Sequence, residues 1–198
     1  MFANQASVVE RNRDRLVAAA AEVFMEAGYR ASLDKIIARA GVVRQTLYNH
    51  FSCKDELFVE AIRRLSAAIV ITLEGDPGDV RETLVSFGTM IRAMALSPQG
   101  IAMYRILIAE APRFAKLARS AYAEGSGKGH KQLTAFLRKA MNGGLLRRDD
   151  PKLAASMLLG MLVSADRDRC LFGVQDIAKC EAAEVNRAID CFLRAYAP

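Results

Sequence analysis

With 198 residues, 52% of them hydrophobic, the chain can bury a real core, as one domain or as a small head on a larger body. Its 28 Lys and Arg outnumber its 22 Asp and Glu, giving a formal charge of +6, and no apolar run approaches the roughly eighteen residues that span a bilayer. Four cysteines (53, 170, 180 and 191) without a CxxC pair, and only two histidines, exclude the usual structural zinc patterns; no metal or other cofactor is expected. Residues 1–10 lack a signal-peptide core, so a soluble cytoplasmic protein with no membrane partner is expected. Its thiols should then stay reduced, with Cys170, Cys180 and Cys191 serving as small apolar packing.

In chain order, Ser7 and Glu10 make a capping box for a first helix running to Gly28, with Leu16, Ala20, Phe24 and Ala27 inward. Arg11, Arg13 and Arg15 would lie either along a nucleic-acid backbone or in solvent. Next, Leu33, Ile36, Ile37 and Ala40 fall at i, i+3, i+4 and i+7, the stripe of a short helix. Ser32 can cap that helix or leave its N–H groups to a phosphate, and Gly41 supplies the positive φ of a C-cap. A second short helix follows, with Val43, Leu47 and Phe51 recurring every fourth residue and facing inward.

Gln45 and Asn49 then point farthest from the core, flanked by Arg44, Thr46, Tyr48 and His50. Gln and Asn can bond adenine bidentately, Arg can do the same to guanine, and Tyr and His suit the sugar-phosphate backbone. Ser52 with Asp55 forms a capping box for the next helix, whose start carries Lys54, a phosphate ligand by chemistry. Arg30, Lys35, Arg39, Arg44 and Lys54 face one acid, Asp34, over this stretch. An ordinary solvated helix pair is the plainer reading. Short helices, a glycine at the turn and an outward face without acid outweigh it and predict a helix-turn-helix reading double-stranded DNA.

A long helix from Cys53 to about Glu74 leads away from this head, and Gly75–Gly78 breaks it. Asp79 caps a helix to about Leu96, and Ser97–Gly100 breaks the chain again. Residues 101–110 are apolar nearly all round, so that helix is expected to be central and buried. Phe87, Met90, Met94, Met103 and Tyr104 could wall a cavity for a hydrophobic effector, Met being adaptable, although such stripes are more often plain core. Arg105 interrupts the apolar helix and needs a partner, Glu82, Glu110 or an acidic ligand.

Gly127-Lys128 superficially suggests a phosphate loop, but Tyr122 and Gly129 stand at two of its key positions and no strand precedes it. Residues 105–148 hold ten Lys and Arg against two acids: a solvated face, a site for an anionic effector, or a second nucleic-acid contact. Asp150-Pro151 opens a helix to about Phe172, broadly apolar around Met157 and Met161, with Gly160 allowing close helix approach. A last helix, from about Asp176 to Tyr196, carries Val185, Ile189, Phe192 and Tyr196 on one stripe. Met157, Met161, Ile189, Phe192 and Tyr196 are expected at the four-helix interface of a homodimer, with intramolecular packing as the alternative.

Residues 13–60 resemble the DNA-binding domain of the TetR family of bacterial transcriptional regulators. The likeness rests on Ala20, Phe24, Gly28 and Tyr29, on Ile37-Ala38-Arg39-Ala40-Gly41-Val42, on Thr46-Leu47-Tyr48-Asn49-His50-Phe51 and on Lys54-Asp55-Glu56-Leu57. The stretch Tyr104–Ala118 with Asp149-Asp150-Pro151 is similar, more loosely, to the body of an AefR-like subgroup. The resemblance implies an all-α chain of about nine helices. A three-helix head over 1–56 would precede an effector-binding and dimerisation body over 57–198. Val43 stands where such sequences usually carry a capping Ser or Thr, a cost of about 1 kcal/mol, and Cys53 replaces a common Ser.

The expected function is a ligand-responsive regulator, a repressor by family default, that binds a palindromic operator as a homodimer and is released by a small-molecule effector. DNA contacts would come from Ser32, Arg44, Gln45, Thr46, Tyr48, Asn49, His50 and Lys54. Two relatives of that reading are an effector-blind regulator and one sensing redox through Cys53, which sits at a helix N-terminus beside Lys54. An enzyme is disfavoured: Cys53 and His50 have no carboxylate orienter or oxyanion loop beside them.

Overall fold

The computed structural model describes residues 2–66, 73, 78–174 and 182–198. The far part of the helix expected to reach Glu74, the break at 75–77, Cys180, the start of the last helix at Asp176 and the Ser7 cap lie outside the described residues. The described chain is all-α. Its helices are α1 (Phe2–Ala27), α2 (Leu33–Ala40), α3 (Arg44–His50), α4 (Lys54–Ser66), α5 (Val80–Ala95), α6 (Pro98–Glu110), α7 (Ala115–Glu124) and α8 (Ser126–Asn142). α9 runs over Pro151–Leu159, through a π-helical turn at Gly160–Ser164, and on over Ala165–Leu171; α10 is Ala182–Ala195. Two compact units result, Met1–Leu65 with Met103–Gly125, and Ser66–Ala102 with Ser126–Pro198.

In the first unit α1 lays Leu16, Ala20 and Phe24 against Ile36 and Ala40 of α2, Leu47 of α3, Phe51, and Leu57, Phe58 and Ala61 of α4. Each Leu, Ile or Phe so buried contributes about 1.5–3 kcal/mol, and together they fix the angle at which α3 stands. Ala27, expected inward, is exposed in the last turn of α1. The first unit takes in α4 and residues 103–125 because Leu57, Phe58, Met103, Leu117 and Ala121 share this core, so its limits differ from the 1–56 head.

The turn between α2 and α3 is a Schellman motif. Gly41 has φ +63°, its N–H donates to the Ala38 carbonyl, and the Val42 N–H donates to the Ile37 carbonyl at 3.3 Å. A Cβ at Gly41 would also stand 2.6 Å from Arg15 Nη2, so this position needs glycine on two counts. Ser52 caps α4, but with Glu56 rather than Asp55: its N–H and its hydroxyl both donate to Glu56 Oε2 at 2.8 Å. Asp55 is drawn off by the Tyr29 hydroxyl, which donates to it. The Tyr29 ring is nearly buried among Phe24, Phe58 and Phe114, 6.1, 5.2 and 5.3 Å away between centroids.

α6 is not the buried central helix its composition suggested. Ile101 and Met103 are buried, yet Ile108 is 54% exposed and Arg105 is exposed too, so one side of the helix is covered and the other lies open. The helix begins at Pro98 rather than after Gly100, because Ser97 caps it by accepting the Gly100 N–H at 2.9 Å.

The core of the second unit joins Leu84, Phe87 and Ile91 of α5, Leu133, Phe136 and Leu137 of α8, Leu158 and Leu162 of α9, and Val185, Ile189 and Phe192 of α10. The close helix approach lies at Gly88, where a Cβ would meet Val185 Cγ1 at 2.9 Å and Leu162 Cδ2 at 3.1 Å. Gly160, expected in that role, is exposed, opens the π-turn and has nothing near it. Inside this core lies a guanidinium. Arg92, 5% exposed, donates to the Leu162 carbonyl at 2.5 Å, Asp166 at 2.8 Å and Glu184 at 2.6 Å. The carbonyl it takes belongs to the π-turn, where the widened helical register changes the ordinary hydrogen-bond pairing.

Candidate DNA-reading face

α3 is seven residues long, and one of them, Leu47, is buried to anchor it. Arg44, Gln45, Tyr48 and Asn49 are exposed, while Thr46 and His50 are half-buried at its edges. Val43 stands at the N-cap in an extended conformation, 67% exposed, with no side-chain cap bond; its carbonyl accepts the Thr46 N–H at 2.9 Å. Gln45 Nε2 donates to Asn49 Oδ1 at 2.9 Å. Arg44 is paired with Asp34 of α2. The His50 ring lies tilted at 6.3 Å from that of Phe51.

Ser32 caps α2, accepting the Lys35 N–H at 3.3 Å, so its hydroxyl answers one of the helix's unpaired donors. Lys54 lies half-buried over the Tyr29 ring, its Nζ 4.8 Å from the centroid, and burial holds its ammonium pKa below the ordinary value. Gln45, Tyr48 and Asn49 are thus gathered on one outward face with Arg44, Thr46 and His50 beside them. Ser32 and Lys54 stand at the N-terminal ends of α2 and α4.

The excess of cations counted along this stretch is largely answered by acids from elsewhere in the same unit. Arg39 binds Glu22 at 3.1 Å and Glu26 at 2.9 Å, Lys35 binds Glu26 at 3.2 Å, and Arg30 lies 3.9 Å from Glu110. Arg39 and Lys35 hold the Glu26 carboxyl down to about 2. Arg13 bridges to Glu60 at 2.9 Å and covers the Phe51 ring, and Arg15 donates to the Gly41 carbonyl at 3.3 Å. Both tie α1 to its neighbours within the unit. The basic stretch after residue 105 is different in kind: α8 contains no acid, and Lys131, Arg138 and Lys139 are exposed along it.

The residues expected around an effector are divided. Phe87 is buried in the second unit's core, with Met90 and Met94 half-buried on the same helix; Met103 is buried in the first unit, Tyr104 is half-buried there, and Arg105 is exposed. The buried guanidinium anticipated at Arg105 is found instead at Arg92. The sequence held a clue to it, since Arg92 follows Leu84 and Gly88 at intervals of four on the inward stripe of α5. The first unit holds a cavity of about 10 Å³ lined by Tyr29, Phe58, Leu107, Phe114 and Leu117, room for roughly one water.

The expected dimer residues also separate. Met157 and Met161 are 50% and 43% exposed, and Leu153, one turn earlier on α9, is 54% exposed. Ile189, Phe192 and Tyr196 are buried in this chain's own core, because the apolar stripe of α10 is used on α5 and α9. Tyr196 stacks on Phe192 at 4.6 Å, and its hydroxyl reaches Met157 Sδ at 3.6 Å. Among the cysteines, Cys170 is buried as expected, Cys191 is exposed against expectation, and Cys53 is exposed beside Lys54. The described residues contain no cluster of potential metal ligands and no helix long and apolar enough to cross a membrane.

Comparison with known proteins agrees with this face. Residues 16–61 match the family model for bacterial regulatory proteins of the tetR family, and residues 82–198 match that for the C-terminal domain of AefR-like transcriptional repressors. The HTH-type transcriptional activator FasR of Mycolicibacterium smegmatis is 45% identical over 56 residues, 28% of this chain and 26% of FasR. The uncharacterized HTH-type transcriptional regulator YezE of Bacillus subtilis is 33% identical over 139 residues, 66% of each chain. The match therefore spans about a quarter of FasR and just under two thirds of YezE. Among solved structures, the flavonoid-responsive regulator FrrA superposes with a TM-score of 0.75 at 27% identity, covering 96% of this chain and 98% of its own. A head built to present α3, followed by a body matched over most of its length, makes the chain a member of the TetR family of transcriptional regulators, with an AefR-like C-terminal domain.

Proposed function

We propose that the protein is a cytoplasmic, homodimeric repressor that binds a palindromic operator through α3 and leaves it when a small molecule occupies the body. The observation that carries this is the outward face of α3: Arg44, Gln45, Tyr48 and Asn49 are exposed while Leu47 locks the helix to the core. In this reading the α3 side chains face base edges and sugar-phosphate, and Ser32 and Lys54 meet phosphates at the starts of α2 and α4. A palindrome requires two copies, with the recognition helices about 34 Å apart. The exposed stripe Leu153, Met157 and Met161 on α9 supports pairing of copies there. Repression is supported by the AefR-like repressor domain, and response to a ligand by the likeness to FrrA, which makes flavonoids the first compounds to screen.

Effector binding would act by favouring a conformation in which the two heads no longer match the operator spacing. The test is a mobility shift with DNA from around the protein's own gene, across a salt series, with random DNA as competitor. Sequence-selected binding by one dimer per site, abolished by a compound recovered unchanged, is the expected result. Binding without sequence preference overturns the operator reading, and turnover of the compound overturns the regulatory one in favour of an enzyme.

A further inference from the structure

Gln45 and Asn49 stand one turn apart on α3, both exposed, and bond to one another through Gln45 Nε2 and Asn49 Oδ1. Each amide has one carbonyl oxygen and one NH₂ group. The mutual bond uses a donor of Gln45 on the carbonyl of Asn49, so the groups left to a ligand are the Gln45 carbonyl and the Asn49 NH₂. Turning both amides over exchanges the two residues and leaves the same result, one acceptor and one donor. The pair is therefore equivalent to a single amide spread over two side chains.

In the major groove adenine presents the N6–H donor and the N7 acceptor, whereas guanine presents two acceptors, O6 and N7. We infer that Gln45 and Asn49 form one coupled reader of a single adenine in each operator half-site, rather than two independent base contacts. The carbonyl accepts N6–H and the NH₂ donates to N7. Guanine would set O6 against a carbonyl with no hydrogen between them, and thymine offers an acceptor and a methyl group where a donor is needed. Arg44, the neighbour whose guanidinium could satisfy both guanine acceptors, is bound to Asp34. The inference rests on the proposed placement of α3 in the major groove, and it adds which base the exposed amides select and that they select it together.

The two arrangements give different counts. Independent amides would each fix an adenine, and their losses would multiply. A coupled pair fixes one adenine, and losing either partner forfeits the whole contact. Random duplexes would be enriched on the full-length protein and on Gln45→Ala, Asn49→Ala and the double variant, with circular dichroism confirming that these exposed substitutions leave the fold intact. The expected outcome is loss of adenine preference at one shared position per half-site in both single variants, each with about a tenfold fall in affinity. The double variant should fall no further than either single by more than about twofold.

Placing 7-deazaadenine at that position removes N7, and should cost the unsubstituted protein about tenfold and Asn49→Ala nothing more. Loss at two separate positions, a guanine at the sensitive position, or multiplying losses overturns the inference. A selected sequence that neither alanine disturbs also overturns it while leaving operator binding standing. If the unsubstituted protein selects no sequence at all, both fall.

Discussion

Arg39 and Arg92 are both guanidiniums held by two carboxylates, one at the surface of the helix-turn-helix unit and one inside the second unit. Arg39, with 35% of its side chain exposed, meets Glu22 at 3.1 Å and Glu26 at 2.9 Å, where water and salt can replace either partner. Arg92, with 6% exposed, meets Asp166 at 2.8 Å, Glu184 at 2.6 Å and the Leu162 carbonyl, where nothing else can. The same chemistry thus has two consequences. At the surface it trims the charge that α2 and α3 would offer to DNA and adjusts how the head sits on α1. In the interior it obliges α5, α9 and α10 to keep one arrangement, because any other strands a charge.

The largest effect expected from this contrast is at the buried site. Arg92→Leu leaves the Asp166 carboxylate, 13% exposed, without its main partner and the Leu162 carbonyl without its donor. The loss should be about 3–5 kcal/mol in urea denaturation, nearly independent of salt. Arg39→Leu should cost less than about 1 kcal/mol in the same assay. Equal losses at the two sites would break the distinction drawn from burial.

The surface network and the buried one were not equally hidden in the sequence. The stripes of α2, α3 and α10 are legible because helical periodicity is local, and Gly41 because a positive φ narrows the choice of residue. Pairing is not local. Lys35 and Arg39 read as free cations until α1 crosses α2 and brings up Glu22 and Glu26. Arg92 reads as one polar residue of an amphipathic helix until partners 74 and 92 positions later close around it. The same limit divided the expected dimer residues. Periodicity showed that Ile189, Phe192 and Tyr196 form an apolar stripe, but not that the chain itself covers it while leaving Met157 and Met161 open. The outward residues of α3 were legible since a short helix anchored by Leu47 and Phe51 has few ways to turn, whereas the bond between Gln45 and Asn49 needed side-chain geometry.

Between the extremes lies Tyr29, whose ring is buried and whose hydroxyl reaches Asp55 at the surface. Tyr29→Phe keeps the ring packing and removes the bond, so a loss of about 1 kcal/mol is expected near neutral pH. Burial first, and then the bond to Asp55, push the Tyr29 hydroxyl above its ordinary value of 10.0. A group raised in the folded state favours folding below its unfolded value and loses that contribution as pH climbs toward the folded value. The unsubstituted protein should therefore lose stability above about pH 10, while Tyr29→Phe should lack that component of the loss. Parallel pH profiles for the two proteins would mean that the hydroxyl is not held in the folded state.

The smallest effect tests the exposed end of the comparison most directly. Hydrogen bonds from Arg39, and then from Lys35, lower the Glu26 carboxyl from 4.5 to about 2. A carboxyl lowered in the folded state contributes stability above its unfolded value, and that contribution fades as pH falls from about 4.5 toward 2. Because Glu26 is open to solvent, the readout is its own titration, followed by carbon NMR of the side chain at low and at about 1 M salt, where the screening length shrinks to about 3 Å. A midpoint near 2 at low salt that rises toward 4.5 at high salt would show a network held by screenable charge. A midpoint fixed near 2 in both would mean that geometry shields Glu26 much as it shields Asp166, and the charge on α2 would then be withheld from phosphates even in strong salt. The expected rise makes the opposite statement: Arg39 and Lys35 can be shared, so a DNA phosphate, a stronger anion than the solvent offers, can compete with Glu26 for them.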